Sequence, residues 1–374
     1  MIATAATQPL AGKLTDIYSR RNGLLLSNLL FTLGNSICGI AQNPTIIILG
    51  RALAGPGGGG LNTISIIIVS DYVPSRRRGL WQGLSNVCWA LGNGLGGVFS
   101  GFLNDVWDWR LAFLVQLPLT LASVIMIYVH VEKPKISEGA SRIKRVDFLG
   151  CFLLTVTLVV FLMGLNSGVN IVPWTHPLVL TALPLSAIFF CALVIVEEKF
   201  AREPVVPVRL ILNRTVAGAC FTSWFFMMIA YALDFYTVIF FRVRGLSATA
   251  AGASLIPFSI TTAVGSFGAG MIANRTGKYE WLNIATLILM LLTTISIAMS
   301  SPSTPVWTTI FSLGIAGLAI GSMLIVTLLA LISAVEHKEQ AVVTSLQYGF
   351  RSTGSVIGVA IASAVFQNVL NSQL

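Results

Sequence analysis

The sequence predicts an all-α polytopic membrane protein, and three observations carry that prediction. Mean hydropathy is +0.84. Only 10% of the 374 residues are charged, where a soluble globular chain carries roughly 25%. Apolar stretches of bilayer-spanning length, about 20 residues each, recur along the whole chain, with Lys and Arg confined to the links between them. A soluble fold of this length has too little interior to bury so much apolar surface, so the solvent must be largely lipid.

The chain opens on an apolar stub, residues 1–11, which covers about 16 Å as a helix, half a bilayer. Sequence upstream of it is therefore expected. The stub runs into a charged link, "GKLTDIYSRR" at 12–21. Eleven spans are expected after it: 23–41, 46–70, 80–103, 111–130, 148–166, 178–197, 216–241, 250–273, 281–300, 306–334 and 341–366. Pro56, Pro118, Pro184 and Pro257 fall within them, as membrane helices tolerate.

Alternating the links from a cytosolic 12–22 puts eighteen of the 23 Lys and Arg on the cytosolic side. They include Lys13, Arg20, Arg21, Arg76, Arg77 and Arg78, the basic links 132–146 and 198–215, and Arg275, Lys278 and Lys338. The opposite side holds three, Arg110, Arg242 and Arg244. That asymmetry sets the orientation. The sequons at Asn213 and Asn274 then face the cytosol and are expected to be unglycosylated. A net charge of +9 often signals nucleic-acid binding, but these cations form no single patch, and no nucleic-acid partner is expected. The five cysteines lie in apolar segments and read as packing residues. The three histidines stand singly, so no metal site and no cofactor are expected. No nucleophile–base pair lies at one depth, which argues against an enzyme.

Gly12, Asp16, Ser19 and Arg20 return with the same spacing as Gly270, Asn274, Gly277 and Lys278, offset by 258 residues. Arg275 belongs to this second copy. Both copies lie in a cytosolic link between spans, the mark of a transporter built from duplicated halves.

The first copy resembles the major facilitator superfamily signature G-x-L-x-D-R-x-G-R-R, with Ile17 for the usual arginine and Ser19 for the usual glycine. The resemblance implies a cytosolic gate made by Gly12, Asp16, Arg20 and Arg21. It also implies two pseudo-symmetric helix bundles. Eight spans separate the two copies where a twelve-helix facilitator has six, so the chain resembles the fourteen-helix drug:proton antiporter branch. The parts are then an N-terminal bundle (1–131), lacking helix 1 and part of helix 2. Basic links with two extra central helices (132–215) follow, then a C-terminal bundle (216–374) lacking the last helix. "TQPLAGKLTDIYSRR", "RALAGPGGGGLNTISIIIVSDYVPSRRRGLWQG" and "YGFRSTGSVIG" are similar to fungal vacuolar basic amino-acid transporters.

Three charged residues sit inside spans, Arg51, Asp234 and Arg351, and buried charges in a bilayer usually face a cavity or a partner. Arg51 opens "RALAG", which resembles the family's fourth-helix motif, where the arginine is linked to proton handling. Arg51 and Asp234 have equal depth, which allows a pair switched by protonating Asp234. A static pair, or an aspartate capping a helix break, are the alternative readings. Arg351, near the midplane, is expected to meet either an anionic substrate group or backbone carbonyls. "GPGGGG" at 55–60 lacks the Lys-Ser/Thr of a phosphate loop. Gly55 reads as helix packing, as do the pairs Gly92/Gly96 and Gly354/Gly358. The fifth-helix antiporter motif is degraded, reading Gly-Gly-Val-Phe-Ser-Gly at 96–101.

The expected function is proton-coupled transport of small solutes by alternating access. Basic amino acids across a vacuolar membrane are the favoured cargo, moved by a monomer that meets only substrate, protons and the lipid bilayer. The alternatives are a multidrug or siderophore exporter at the plasma membrane, and a non-transporting sensor or inactive product.

Overall fold

The computed structural model describes residues 3, 4, 7, 8, 11, 19–73, 75–131, 148–170, 172, 174–199, 210, 212–276, 280–301, 303–336 and 339–373. Among them the helices are α1 (Arg20–Gly39), α2 (Pro44–Tyr72), α3 (Ser75–Val106), α4 (Leu111–Leu114), α5 (Gln116–His130), α6 (Phe148–Asn170) and α7 (Pro177–Lys199). These are followed by α8 (Arg214–Val243), α9 (Ala248–Ala253), α10 (Ile256–Thr276), α11 (Glu280–Ala298), α12 (Val306–Ser333) and α13 (Gln340–Gln373). Helix covers all eleven apolar stretches, because in lipid each backbone N–H and C=O must be satisfied within its own segment. Among the described residues, eight helical stretches are long and apolar enough to cross a bilayer.

Two expected spans lose the regular helical hydrogen bonding for one or two residues while the backbone stays helical, with Val115 at φ −64° and ψ −20° and Ser254 at φ −62° and ψ −19°. Residues 111–130 divide into α4 and α5, and 250–273 into α9 and α10. Proline lacks the N–H, and its ring presses on the carbonyl four residues earlier. α4 ends at Leu114 and α9 at Ala253, each four residues before a proline, Pro118 and Pro257. Pro56 and Pro184 sit inside unbroken helices.

Contacts between link ends agree with the alternation. On the arginine-rich face, Arg20 bonds Asp71, and Asn213 donates to Ala334 O at 3.4 Å. On the opposite face all three arginines donate to backbone carbonyls of their own neighbourhood. Arg110 Nε reaches Ala41 O at 2.9 Å, an Arg242 nitrogen reaches Leu246 O at 3.3 Å, and an Arg244 nitrogen reaches Thr304 O at 2.8 Å. Each minority cation is occupied in fixing a turn.

Lipid tails are as apolar as leucine, so helices associate by close backbone approach at small residues. Gly34 and Gly57 bring α1 against α2, and Gly265, Gly317 and Gly321 bring α10 against α12. Gly354 lies on Trp224 and Gly358 on Met228, which seats α13 against α8. The most buried element is α12, whose Leu313, Ile320 and Met323 pack with Phe226 of α8 and Phe258 of α10. α6 and α7 pair with each other, and α6 also leans on α13. α3 leaves a first group of helices, α1, α2, α4 and α5, to pack along α9 and α10 of a second, α8 to α13.

Candidate functional site

The seam between α3 and the second group of helices is built on one helical face. Asn93, Gly97, Gly101 and Asp105 recur every four residues, a spacing that stacks them along one side of α3. Asn93 donates Nδ2 to Asp234 Oδ2 of α8 at 3.0 Å, and Asp234 Oδ1 is buried without a hydrogen-bond partner. Gly94 faces Ser259, Gly97 lies against the backbone of Gly252, and Gly101 against that of Ala248 and Thr249. At the end of the stripe the Asp105 carboxylate accepts three hydrogen bonds. They come from Ala248 N at 3.3 Å, Thr249 N at 2.8 Å and the Thr249 hydroxyl at 2.6 Å. The Thr249 hydroxyl first, then its amide, hold the Asp105 carboxyl below the usual carboxylate range, and nearby Arg242 adds to this. The expected packing pair Gly92/Gly96 needs correction. Both glycines face open space, and the close approach falls five residues later, at Gly97 and Gly101.

The charged residues inside the spans do not meet. Arg51 lies over the Phe113 ring, 5.7 Å from its centroid, while Asp234 bonds Asn93, so the expected Arg51–Asp234 pair is not formed. Arg351 is buried and donates to Leu324 O at 3.1 Å and to the Thr327 hydroxyl at 3.4 Å, and it stacks over Tyr348. Thr327 also accepts from Ser223 at 3.2 Å, and Ser223 accepts from the Gln347 amide at 2.9 Å. The network ties α8, α12 and α13 together and leaves Arg351 Nε and Gln347 Oε1 unpartnered. Of the two expectations for Arg351, the carbonyl is the partner it has here. Ser223 and Asp234 lie eleven positions apart on α8, about 16 Å along the axis. One small solute does not reach both in this conformation.

Gly12 and Asp16 of the gate motif lie outside the described residues. Arg20 pairs with Asp71 of α2 at 3.0 Å. Arg21 is buried, with its guanidinium 4.2 Å from the centroid of the Tyr128 ring. Ser19, the N-cap of α1, accepts from Asn22 N and has φ 116° and ψ 148°, a conformation essentially reserved for glycine. That is a physical reason for the glycine at the matching position of the signature. In the second copy, Gly270 faces Ile325 at 3.9 Å and Arg275 is exposed at the end of α10. Gly277, Lys278 and the side chain of Asn274 lie outside the described residues. Gly55 faces Ala3 of the N-terminal stub, and Ser352 of α13 bonds Gln8 of the same stub. No cluster of three metal-ligating side chains occurs among the described residues.

Asn93, Asp105 and the Ser223–Thr327–Gln347 set escaped the sequence reading because polar residues in spans announce no partner. The four-residue stripe from Asn93 to Asp105 was the available signal.

The Major Facilitator Superfamily profile matches residues 1–359. The chain is 37% identical to the multidrug resistance protein fnx1 of Schizosaccharomyces pombe, covering 100% of this chain and 72% of that protein. It is 31% identical to the vacuolar membrane amino acid uptake transporter fnx2 of the same yeast, covering 100% and 65%. It is 32% identical to the vacuolar basic amino acid transporter 2 of Saccharomyces cerevisiae, covering 98% and 80%. Among solved structures, the human organic anion transporter MFSD10 (TETRAN) shares the fold with TM-score 0.63 and 16% identity, covering 98% of this chain and 76% of that one.

Proposed function

The chain belongs to the Major Facilitator Superfamily, and from that premise we propose a proton-coupled transporter of basic amino acids across a vacuolar membrane, working by alternating access. The two halves, 1–131 and 216–374, rock about the seam, with 132–215 as an added pair of helices, and the protein acts as a monomer. The arginine-rich face is cytosolic. The relatives named above are transporters and a resistance protein rather than enzymes, and two of the three carry amino acids by name.

The observation that carries the proposal is Asp234. A carboxylate at the junction of the halves, bonded across it to Asn93 and with its second oxygen buried and unpartnered, suits a proton or a cationic group that binds as the halves separate. Such a group biases a two-state equilibrium only by its differential affinity for the two states, and a seam carboxylate changes its surroundings between them. Arg51, stacked rather than paired here, serves the same coupling in another conformation. Arg351 clamps α13 to α12. The gate motif Asp16–Arg20–Arg21 acts on the cytosolic face.

The test is uptake of labelled lysine, arginine and histidine by vacuolar vesicles under a proton gradient. A protonophore abolishes it, and Asp234→Asn lowers it at least about tenfold, as loss of a single group that moves with the cycle requires. Gradient-driven uptake unchanged in Asp234→Asn would remove the coupling role. The second reading, a multidrug exporter, is favoured by the 37% identity to fnx1; vesicles that expel cationic dyes but ignore amino acids decide for it.

A further inference from the structure

We propose that Asp105 is the latch that holds the non-cytosolic face of the seam shut and so keeps Asp234 sealed from that side. The inference rests on the transporter reading above, in which the halves separate.

Geometry carries it. Asp105 ends α3 in the first half, and its carboxylate accepts from two backbone amides and a hydroxyl at Ala248 and Thr249 in the second half. Charge-assisted bonds of this kind are about twice as strong as neutral ones. The latch closes the far end of a stripe whose other members approach backbone to backbone, Gly97 on Gly252 and Gly101 on Ala248. Twelve residues separate Asn93 from Asp105, about 18 Å of helix. Asp234 therefore meets water from the non-cytosolic side only after Asp105 lets go. The other charged groups of this end make their hydrogen bonds elsewhere, with Arg242 near enough to add its field at Asp105. Asp108 pairs with Arg110, Arg242 holds the Leu246 carbonyl, and Arg244 holds that of Thr304. No other carboxylate among the described residues bonds across this seam end.

The hydroxyl of Ser259, buried against Gly94 at mid-seam, has no hydrogen-bond partner, so Ser259→Cys is a mild reporter. In liposomes, with the five native cysteines replaced by alanine, the rate of maleimide labelling at 259 reads seam opening without reference to transport. Asp105→Ala is expected to raise that rate at least about tenfold, the loss of bonds to a charged group. Asp108→Asn, confined to its own half, leaves it unchanged. Should Asp105→Ala fail to fold, Thr249→Val removes one donor while keeping the shape, and is expected to raise the rate about threefold. Equal labelling in the folded variants and the parent overturns the latch, as does an equal rise in Asp108→Asn. Absent amino-acid uptake by the parent protein would sink the amino-acid reading and leave the labelling result standing.

Discussion

Two aspartates at helix ends stand on opposite faces of this molecule and do different work. On the arginine-rich face Asp71 meets Arg20 in one exposed ion pair between α1 and α2, neighbours in the same half. Exposed pairs of this kind contribute about 0–1 kcal/mol, and this one does not join the halves. On the other face Asp105 reaches across the seam to three donors. The motif that advertises a gate in the sequence lies on the first face, while among the described residues the carboxylate that joins the halves at a face in this conformation lies on the second. A charged motif marks where a latch forms in some state; only the partners show which face is closed in the state at hand.

The largest effect expected from breaking the comparison comes from filling the glycine seam. Gly252→Leu puts a side chain into the Gly97 backbone and is expected to cost about 1–3 kcal/mol, seen as a lower Tm and faster labelling at Ser259→Cys. Gly92→Ala and Gly96→Ala, which add a methyl to open space, stay within about 0.5 kcal/mol. Equal losses at all three positions would contradict the seam register. Next is Ser19→Gly, which relieves a left-handed backbone and is expected to stabilise by about 1 kcal/mol, less a few tenths for the lost cap, read as a raised Tm.

The pH response is smaller across the useful range, and its sign follows from Asp105. A carboxyl held below its ordinary value stabilises the contact above that value and loses it as pH falls through the depressed one. Labelling at 259, taken relative to an exposed reference cysteine so that the thiolate's own pH dependence cancels, is therefore flat from pH 7 to pH 5 and rises only below about pH 4. A rise between pH 7 and pH 5 would mean another group governs the seam. Smallest is Asp71→Asn, expected to change Tm by an amount equivalent to less than about 1 kcal/mol and to leave labelling at 259 untouched.

The helices were legible because lipid leaves the backbone no alternative to its own hydrogen bonds, so apolar length alone marks them. The interruptions before Pro118 and Pro257 were not, since Pro56 and Pro184 look the same in sequence and interrupt nothing. Whether a freed carbonyl finds a substitute partner depends on neighbours that are distant in the chain. The glycine register failed for a similar reason. "GNGLGGVFSG" offers the same four-residue spacing at Gly92/Gly96 and Gly97/Gly101, and the offset between the pairs turns them about 140° apart round the helix. Arg51 and Asp234 share a depth, but depth says nothing of which way each helix faces.

By itself, then, the sequence determined that this is a helical membrane protein of duplicated design, and which face carries the positive charge, because hydropathy and cation placement act locally. The tertiary structure decided which small residues touch, that Asp234 answers to Asn93, and that Asp105 closes the seam. Those outcomes depend on helix rotation and on partners distant in the chain, 141 residues for Asn93 and Asp234 and 144 for Asp105 and Thr249, and the four-residue stripe on α3 does not by itself say what it faces.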